Sequence, residues 1–284
     1  MTMTEKNAFT KEAIKEYIAN RKRDLKNVIE NQQEYYHYPV PKLLIVQVGD
    51  NPASNRYVAG KIKDCEEVGI QAILAKLPED TSANEMRELL TVELKNVHAA
   101  IIQLPLPDHL VSYLDDFLKI MTPEQDVDGF LLDSCHYPCT PQGIVDYLTY
   151  QYSEEWFVGK HAVIVGRSEL VGRPLAKMLL DRDCTVTVSH SKTKNLRHVT
   201  SQADILVSAT GKMNLINRFN IKPDVDAVIN VGFAFDENGK MKGDVDVEDV
   251  MRITSNCMPI VGSTGLLTRL ALLDNTVNAW NMQC

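Results

Sequence analysis

The stretch Val163-Ile164-Val165-Gly166-Arg167-Ser168-Glu169-Leu170-Val171-Gly172-Arg173-Pro174 decides the architecture. An apolar β-branched run ends in a glycine, small and polar residues follow, and Val171, Gly172 and Pro174 open a helical pattern. Read as strand, turn and helix, the segment lets a phosphate approach backbone N–H groups and the positive end of the helix. It departs from G-x-G-x-x-G, because Ser168 replaces the second glycine and Val171 the third. A plain tight β-α turn is the alternative reading of such a motif.

Working outward, the spacing predicts strands over 161–165, 185–189, 204–208 and 227–231, with helices from about Val171 and over 195–200. Alternation of this kind is the pattern of a doubly wound dinucleotide-binding fold. In NAD enzymes an Asp or Glu at the end of the second strand bonds the ribose hydroxyls. Here His190-Ser191-Lys192 stands at that position. No carboxylate repels a 2′-phosphate there, and Arg167 and Ser191 are suited to hold one. NADP is therefore preferred over NAD. The alternative is that Arg167 is a solvated surface charge.

The preceding half carries a second alternation. Ile14, Ile18, Leu25 and Ile29 predict an amphipathic opening helix over 11–31, and the Tyr- and Pro-rich 32–41 reads as a loop. Strands follow over 43–48, 70–77 and 99–103. A helix between the first two is capped by Asn51 and Pro52 and stopped by Gly69, and another covers 83–94. The β-α-β-α-β order calls for a parallel sheet. The tail, 264–280, reads as one helix that packs back on the first domain. The fold class is thus α/β with two domains. An N-terminal α/β catalytic domain comprises 1–142 plus 266–284, and a Rossmann-like dinucleotide-binding domain with a parallel sheet comprises 143–265.

Four polar elements of the first domain are candidates for chemistry. In Ser54-Asn55-Arg56-Tyr57-Val58-Ala59-Gly60-Lys61, helical spacing puts Tyr57 and Lys61 one turn apart on one face. A lysine becomes useful in proton transfer when its surroundings favour the neutral amine, and a phenol beside it can bond the amine or stack on an aromatic substrate. An exposed helix face is the alternative. Gln103 closes a strand just before Pro105 and Pro107, where ligands of open α/β sheets gather, or else it bonds loop backbone. Asp126-Val127-Asp128-Gly129 offers one carboxylate to a heterocycle's N–H groups and one to the turn, or both to the turn.

Composition narrows the classes further. With 284 residues and a net charge of -8, the chain lacks the basic balance that nucleic acid attracts. Of its six cysteines none forms a C-x-x-C pair, so Cys135-His136 and Cys139 read as reduced thiols around a turn rather than a metal site. No apolar run reaches the length of a membrane span, and residues 1–11 lack the apolar core of a secretory signal. The expectation is a cytoplasmic protein with no metal, nucleic acid or membrane partner.

Taken in order, these elements resemble the bifunctional methylenetetrahydrofolate dehydrogenase/methenyltetrahydrofolate cyclohydrolase family. Val48–Ser54 with Tyr57, Lys61 and Gly69-Ile70 carry the resemblance, as do Gln103–Pro107, Asp126–Gly129 and Pro138–Gly143. In the second half Gly166–Ser168, Val171-Gly172, Pro174, His190–Thr193, Ala209–Lys212 and Gly243–Asp246 add to it. The resemblance implies oxidation of 5,10-methylenetetrahydrofolate with NADP, hydrolysis of the methenyl product to 10-formyltetrahydrofolate, and a homodimer. It implies that Lys61, Tyr57 and Gln103 are catalytic and that Asp128 holds the pterin. Ser54, Tyr57, Gly262 and Gly265 would line the folate site. Gly166, Arg167, Ser168, Gly172, Ser191 and the backbone of Phe233 would hold NADP. The methenyl product is a cation, so Lys61 is expected to act neutral or to share its proton with Tyr57 and Gln103.

The sequence departs from the family at Ile260–Thr268, where both prolines and one glycine of the usual Pro-Gly-Gly-Val-Gly-Pro-Met-Thr loop are replaced. Val231–Ala234 replaces the usual Gly-Ile-Asn, and 32–41 matches poorly. A single-activity relative and a non-catalytic dinucleotide-binding sensor are the other readings. Retention of Tyr57, Lys61, Gln103 and Asp128 disfavours the sensor.

Overall fold

The computed structural model describes residues 8–284. The first seven residues, on which part of the leaderless reading of the N-terminus falls, lie outside the described residues. The chain divides into two compact units. Asn20–Cys139 with Arg269–Cys284 form one, and the described residues up to Ala19 with Thr140–Thr268 form the other.

The chain opens with α1 (Lys11–Tyr36). It runs five residues past the expected end, so Gln32–Tyr36 are helical rather than loop. Nothing in Gln-Gln-Glu opposes a helix. The stop comes at His37, whose left-handed φ of 58° lets Tyr38 N–H reach back to the Gln32 carbonyl at 3.3 Å. Pro39 then bars helical geometry at the residue before it.

In the unit around Asn20–Cys139, β1 (Lys42–Val48), α2 (Pro52–Val68), β2 (Gln71–Leu77), α3 (Ala83–Glu93) and β3 (Ala99–Ile102) build a parallel sheet of order β2-β1-β3. The side chain of Asn51 accepts from the N–H groups of Ala53 and Ser54, and Ser82 with Glu85 forms a reciprocal cap on α3. Leu44, Val46 and Ile102 pack with Met86, Leu90 and Phe117 in the core, Phe117 coming from the short α5 (Leu114–Leu118) that follows α4 (Asp108–Val111). A parallel bridge between Ala100 and Asp126 sets the 126–129 turn beside β3.

Besides the described residues up to Ala19, the second unit takes in α6 (Cys139–Tyr152) from Thr140 onward and continues through β4 (His161–Val165), α7 (Gly172–Leu180), β5 (Thr185–Ser189), α8 (Leu196–Thr200), β6 (Ile205–Ser208) and β7 (Ala227–Asn230). An antiparallel ribbon of β8 (Phe233–Phe235) and β9 (Met241–Gly243), then α9 (Val247–Val250) and β10 (Cys257–Met258), complete it. The parallel sheet has order β10-β7-β6-β4-β5. The chain steps from β4 outward to β5 and returns to β6 on the other side of β4, so the winding reverses between β4 and β6. Beyond the carboxyl ends of those two strands is where such sheets bind ligands. The closing helix α10 (Gly265–Gln283) runs from this unit into the other.

Candidate active site

Two turns of α2 carry the first cluster. Ser54 and Lys61 are buried, at 6% and 5% exposure, although serine and lysine are residue types usually found at the surface. The Lys61 Nζ donates to Gln103 Oε1 at 3.1 Å and lies 5.2 Å from the centre of the Tyr57 ring, within range of a cation–π contact. Gln103 is held from both ends. Its backbone N–H donates to the Val46 carbonyl at 2.8 Å, continuing the β3–β1 pairing past Ile102. Its Nε2 donates to the Leu104 carbonyl at 2.7 Å, which turns the amide oxygen toward the amine. The expected grouping of Tyr57, Lys61 and Gln103 is therefore present.

The two carboxylates of the 126–129 turn have separate environments. Asp126 is buried and accepts from Leu131 N–H at 2.7 Å. Burial pushes its carboxyl above the usual range and the neighbouring charge of Asp128 adds to this, while the Leu131 bond opposes both. Asp126 thus holds the turn, and Asp128 is the half-buried member. Burial raises the Cys139 thiol well above its ordinary range, with Asp128 reinforcing and Lys61 opposing the effect. Lys61, Asp128 and Cys139 therefore share one electrostatic neighbourhood. Gly129 closes the turn at φ 70°, and a Cβ there would lie 2.6 Å from the Pro138 nitrogen. Only glycine fits.

Behind Lys61, one turn along α2, the buried Asp64 carboxylate pairs with Lys22 at 2.6 Å and with Arg269 at 2.9 Å. Lys22 also reaches Glu67 at 2.7 Å. Residues from α1, α2 and α10 thus meet at one carboxylate. Gly60 leaves the space Arg269 needs, since a Cβ there would lie 1.9 Å from Arg269 Nη1.

The second unit supplies the dinucleotide features. Gly166 has φ 131° and a Cβ would lie 2.4 Å from the Ala209 carbonyl oxygen, so the β4 turn and the end of β6 touch where the winding reverses. A Cβ on Gly172 would lie 2.3 Å from the Gly166 carbonyl oxygen, which brings the start of α7 onto the turn. Ser168 Oγ accepts from the N–H groups of Val171 at 3.2 Å and Gly172 at 3.4 Å, so the residue that replaces a glycine closes the turn onto the start of α7. This cradle, too tight for side chains and opening a nine-residue helix, fits a pyrophosphate.

Gly166 N–H donates to the Ser189 carbonyl at 2.8 Å, which sets Arg167 and Ser191 at the adjoining carboxyl ends of β4 and β5. Both side chains are exposed. His190–Lys194 forms a tight turn in which His190 N–H bonds Thr193 Oγ1 at 2.9 Å. It holds two lysines and no acid, which suits a phosphorylated ribose. Sequence reasoning missed the role of Asp244. Its Oδ2 accepts from Ser208 Oγ, Thr210 N–H and Thr210 Oγ1, at 2.9, 2.6 and 2.9 Å, and fixes the turn after β6. Phe233 lies in the ribbon with its ring half exposed.

Ser54, Tyr57, Lys61, Gln103 and Asp128 fall in one unit. Gly262 and Gly265, expected in the same folate site, fall in the other with Gly166, Arg167, Ser168, Gly172, Ser191 and Phe233. Hydroxyls tie down the altered loop. Thr264 Oγ1 donates to the Asn230 carbonyl at 2.9 Å and Thr268 Oγ1 meets Thr140 Oγ1 at 3.0 Å. At the Cys-His cluster, His136 Nε2 bonds the Glu124 carbonyl at 2.9 Å and Cys139 donates to the Val127 carbonyl at 3.2 Å. Among the described residues no three His, Cys, Asp or Glu side chains gather to hold a metal ion, and no helix is long and apolar enough to cross a membrane.

The model of the catalytic domain of tetrahydrofolate dehydrogenase/cyclohydrolase matches residues 11–128, and that of the family's NAD(P)-binding domain matches residues 138–284. The chain belongs to the tetrahydrofolate dehydrogenase/cyclohydrolase family. The bifunctional protein FolD of Lysinibacillus sphaericus is 42% identical over 250 residues, 84% of this chain and 86% of that protein. The crystal structure of bifunctional FolD methylenetetrahydrofolate dehydrogenase/cyclohydrolase from Campylobacter jejuni superposes with a TM-score of 0.88 at 37% identity, covering 95% of this chain and 98% of that one. The Trypanosoma brucei enzyme, solved with NADP cofactor and an inhibitor, gives a TM-score of 0.85 at 25% identity over 95% of this chain and 96% of its own. This member of the family thus pairs a folate catalytic domain with a nucleotide domain.

Proposed function

We propose that the chain oxidises 5,10-methylenetetrahydrofolate to 5,10-methenyltetrahydrofolate with NADP and hydrolyses that product to 10-formyltetrahydrofolate, using Lys61, Tyr57 and Gln103 as the catalytic group. Bound NADP supplies the hydride acceptor, and the protein's task in that step is alignment. The observation that carries the reading is the buried Lys61 amine, with Gln103 Oε1 at 3.1 Å and the Tyr57 ring beside it. In the second step Lys61, neutral or sharing its proton with Gln103 and Tyr57, assists a water that adds to the methenyl carbon. The bond from that carbon to N5 then breaks; one of the water's two protons passes to the freed nitrogen, and the other leaves to solvent by way of the Lys61 amine, which discharges the positive charge of the methenyl group. Asp128 accepts N–H bonds from the pterin, Ser54 and Tyr57 line the folate, and Gly262 and Gly265 allow close backbone approach on the side of the dinucleotide.

Gly166, Ser168 and Gly172 cradle the pyrophosphate, Arg167 and Ser191 take the 2′-phosphate, and the Phe233 backbone meets the nicotinamide end. The folate domain is taken as 1–142 with 266–284, and the dinucleotide domain as 143–265. The protein acts as a cytoplasmic homodimer in this reading. Family resemblance supports the dimer, which sedimentation tests, and six free thiols support a reducing compartment, which fractionation tests.

The test is a mixture of protein, methylenetetrahydrofolate and either NADP or NAD, followed by absorbance. Reduced cofactor without methenyl build-up is expected, and Lys61→Met is expected to abolish hydrolysis of added methenyltetrahydrofolate. Full cyclohydrolase activity in Lys61→Met overturns the assignment of Lys61. Methenyl build-up in the unaltered protein reduces the reading to a dehydrogenase alone.

A further inference from the structure

We propose that Asn275, on α10, is a positioning residue for folate binding: its amide fixes the 126–129 turn and with it the Asp128 carboxylate. The proposal rests on the reading that Asp128 binds the pterin. Asn275 is 4% exposed and lies between Ala271 and Ala279, each four residues away and buried, on a helix stripe that is otherwise apolar. A polar side chain there is unfavourable unless each polar atom finds a partner. The two N–H groups of its Nδ2 have two matched acceptors, the Val127 carbonyl at 3.0 Å and the Tyr137 carbonyl at 3.2 Å.

These acceptors belong to two different segments, which the amide therefore bridges. Val127 directly precedes Asp128. Tyr137 belongs to the segment that Gly129 touches with no room for a Cβ, its carbonyl carbon lying 2.6 Å from where that atom would stand. Cys139 completes the arrangement. Its Sγ lies 3.8 Å from Asn275 Nδ2, and its thiol donates to the same Val127 carbonyl at 3.2 Å. Both lone pairs of that carbonyl are thus engaged, which pins the peptide leading into Asp128. A carboxylate that must accept two N–H bonds from a flat heterocycle tolerates little rotation of its backbone, so the amide acts on affinity for folate through Asp128.

The experiment is a double-mutant cycle on the full chain, read as the apparent KM for methylenetetrahydrofolate and for NADP. Asn275→Ala is expected to raise the folate KM about tenfold or more, with the NADP KM within about twofold. In an Asp128→Asn background, whose own folate KM is raised, the added effect of Asn275→Ala is expected to fall below about twofold. An unchanged folate KM in Asn275→Ala, or the same multiplication in both backgrounds, overturns the positioning role while leaving Asp128 in place. An unchanged folate KM in Asp128→Asn alone overturns the reading of Asp128, and the proposal with it. Should Asn275→Ala not fold, Asn275→Ser, a shorter donor, carries the same cycle.

Discussion

Lys61 Nζ and Gln103 Oε1, 42 residues apart in sequence, stand 3.1 Å apart and join the middle of α2 to the end of β3. The amide oxygen faces the amine because Nε2 is already committed to the Leu104 carbonyl. Gln103→Leu removes that acceptor while keeping much of the volume. An ordinary intramolecular hydrogen bond is worth about 0.5–1.5 kcal/mol, so hydrolysis of methenyltetrahydrofolate is expected to slow by about 2- to 10-fold. Stopped-flow loss of methenyl absorbance measures it, and an unchanged rate removes Gln103 from the machinery.

Cofactor preference follows from the ends of β4 and β5. Arg167→Ala is expected to raise the KM for NADP by about tenfold or more and to leave the KM for NAD within about twofold, because only NADP carries the charge that Arg167 meets. Ser191→Asp is expected to reverse the preference. Initial rates with both cofactors decide it; equal effects on the two would show that Arg167 does not read the phosphate.

Gly166→Ala is expected to separate the two activities. The added methyl would lie 2.4 Å from the Ala209 carbonyl oxygen at a φ of 131°, so the turn must open where the dinucleotide binds. Hydride transfer should fall far more than hydrolysis of added methenyltetrahydrofolate, which needs no dinucleotide. Parallel loss of both rates would contradict this.

Lys22 makes stability depend on alkaline pH. Burial alone would lower its amine, but the bonds and charges of Asp64 and Glu67 outweigh burial, and the net shift is upward from 10.5. A folded-state value above the unfolded one contributes stability that is complete below about 10.4 and is lost as pH climbs through the raised value. Urea midpoints of the unaltered protein and Lys22→Met are therefore expected to differ near neutrality, and the gap to narrow only as pH rises past the ordinary lysine value and through the raised one. A gap that stays constant to high pH would refute the coupling.

Much of the fold was legible because periodicity and caps act locally. Asn51-Pro52, Ser82 with Glu85 and the apolar runs of β1, β4, β6 and β7 each announce their own element. The helix α6 was not anticipated, since Pro138, Pro141 and Gly143 look like turn residues. Yet Pro141 stands in the first turn, where its missing N–H has no intrahelical partner to lose, and Gly143 is small because a Cβ would lie 2.4 Å from the Leu267 carbonyl oxygen. The three-residue strands β8 and β9 carry too few residues to show alternation.

The site was legible in the same uneven way. Tyr57 and Lys61 lie one helical turn apart, so their pairing is written in local spacing. Asp64, Asp244 and Asn275 act across sheet pairings and helix packings that no local window spans. A trace remains for Asn275 alone, as a polar residue in the stripe Ala271–Asn275–Ala279.

The meeting of Lys22, Asp64 and Arg269 ties early and late parts of the polypeptide to the helix that bears the amine. A substitution near either end can therefore be compensated near the other, and reversing the sign at Asp64 would require acids at both 22 and 269 to restore it. Homologues that lack one of these three charges should show matched replacements in the remaining two.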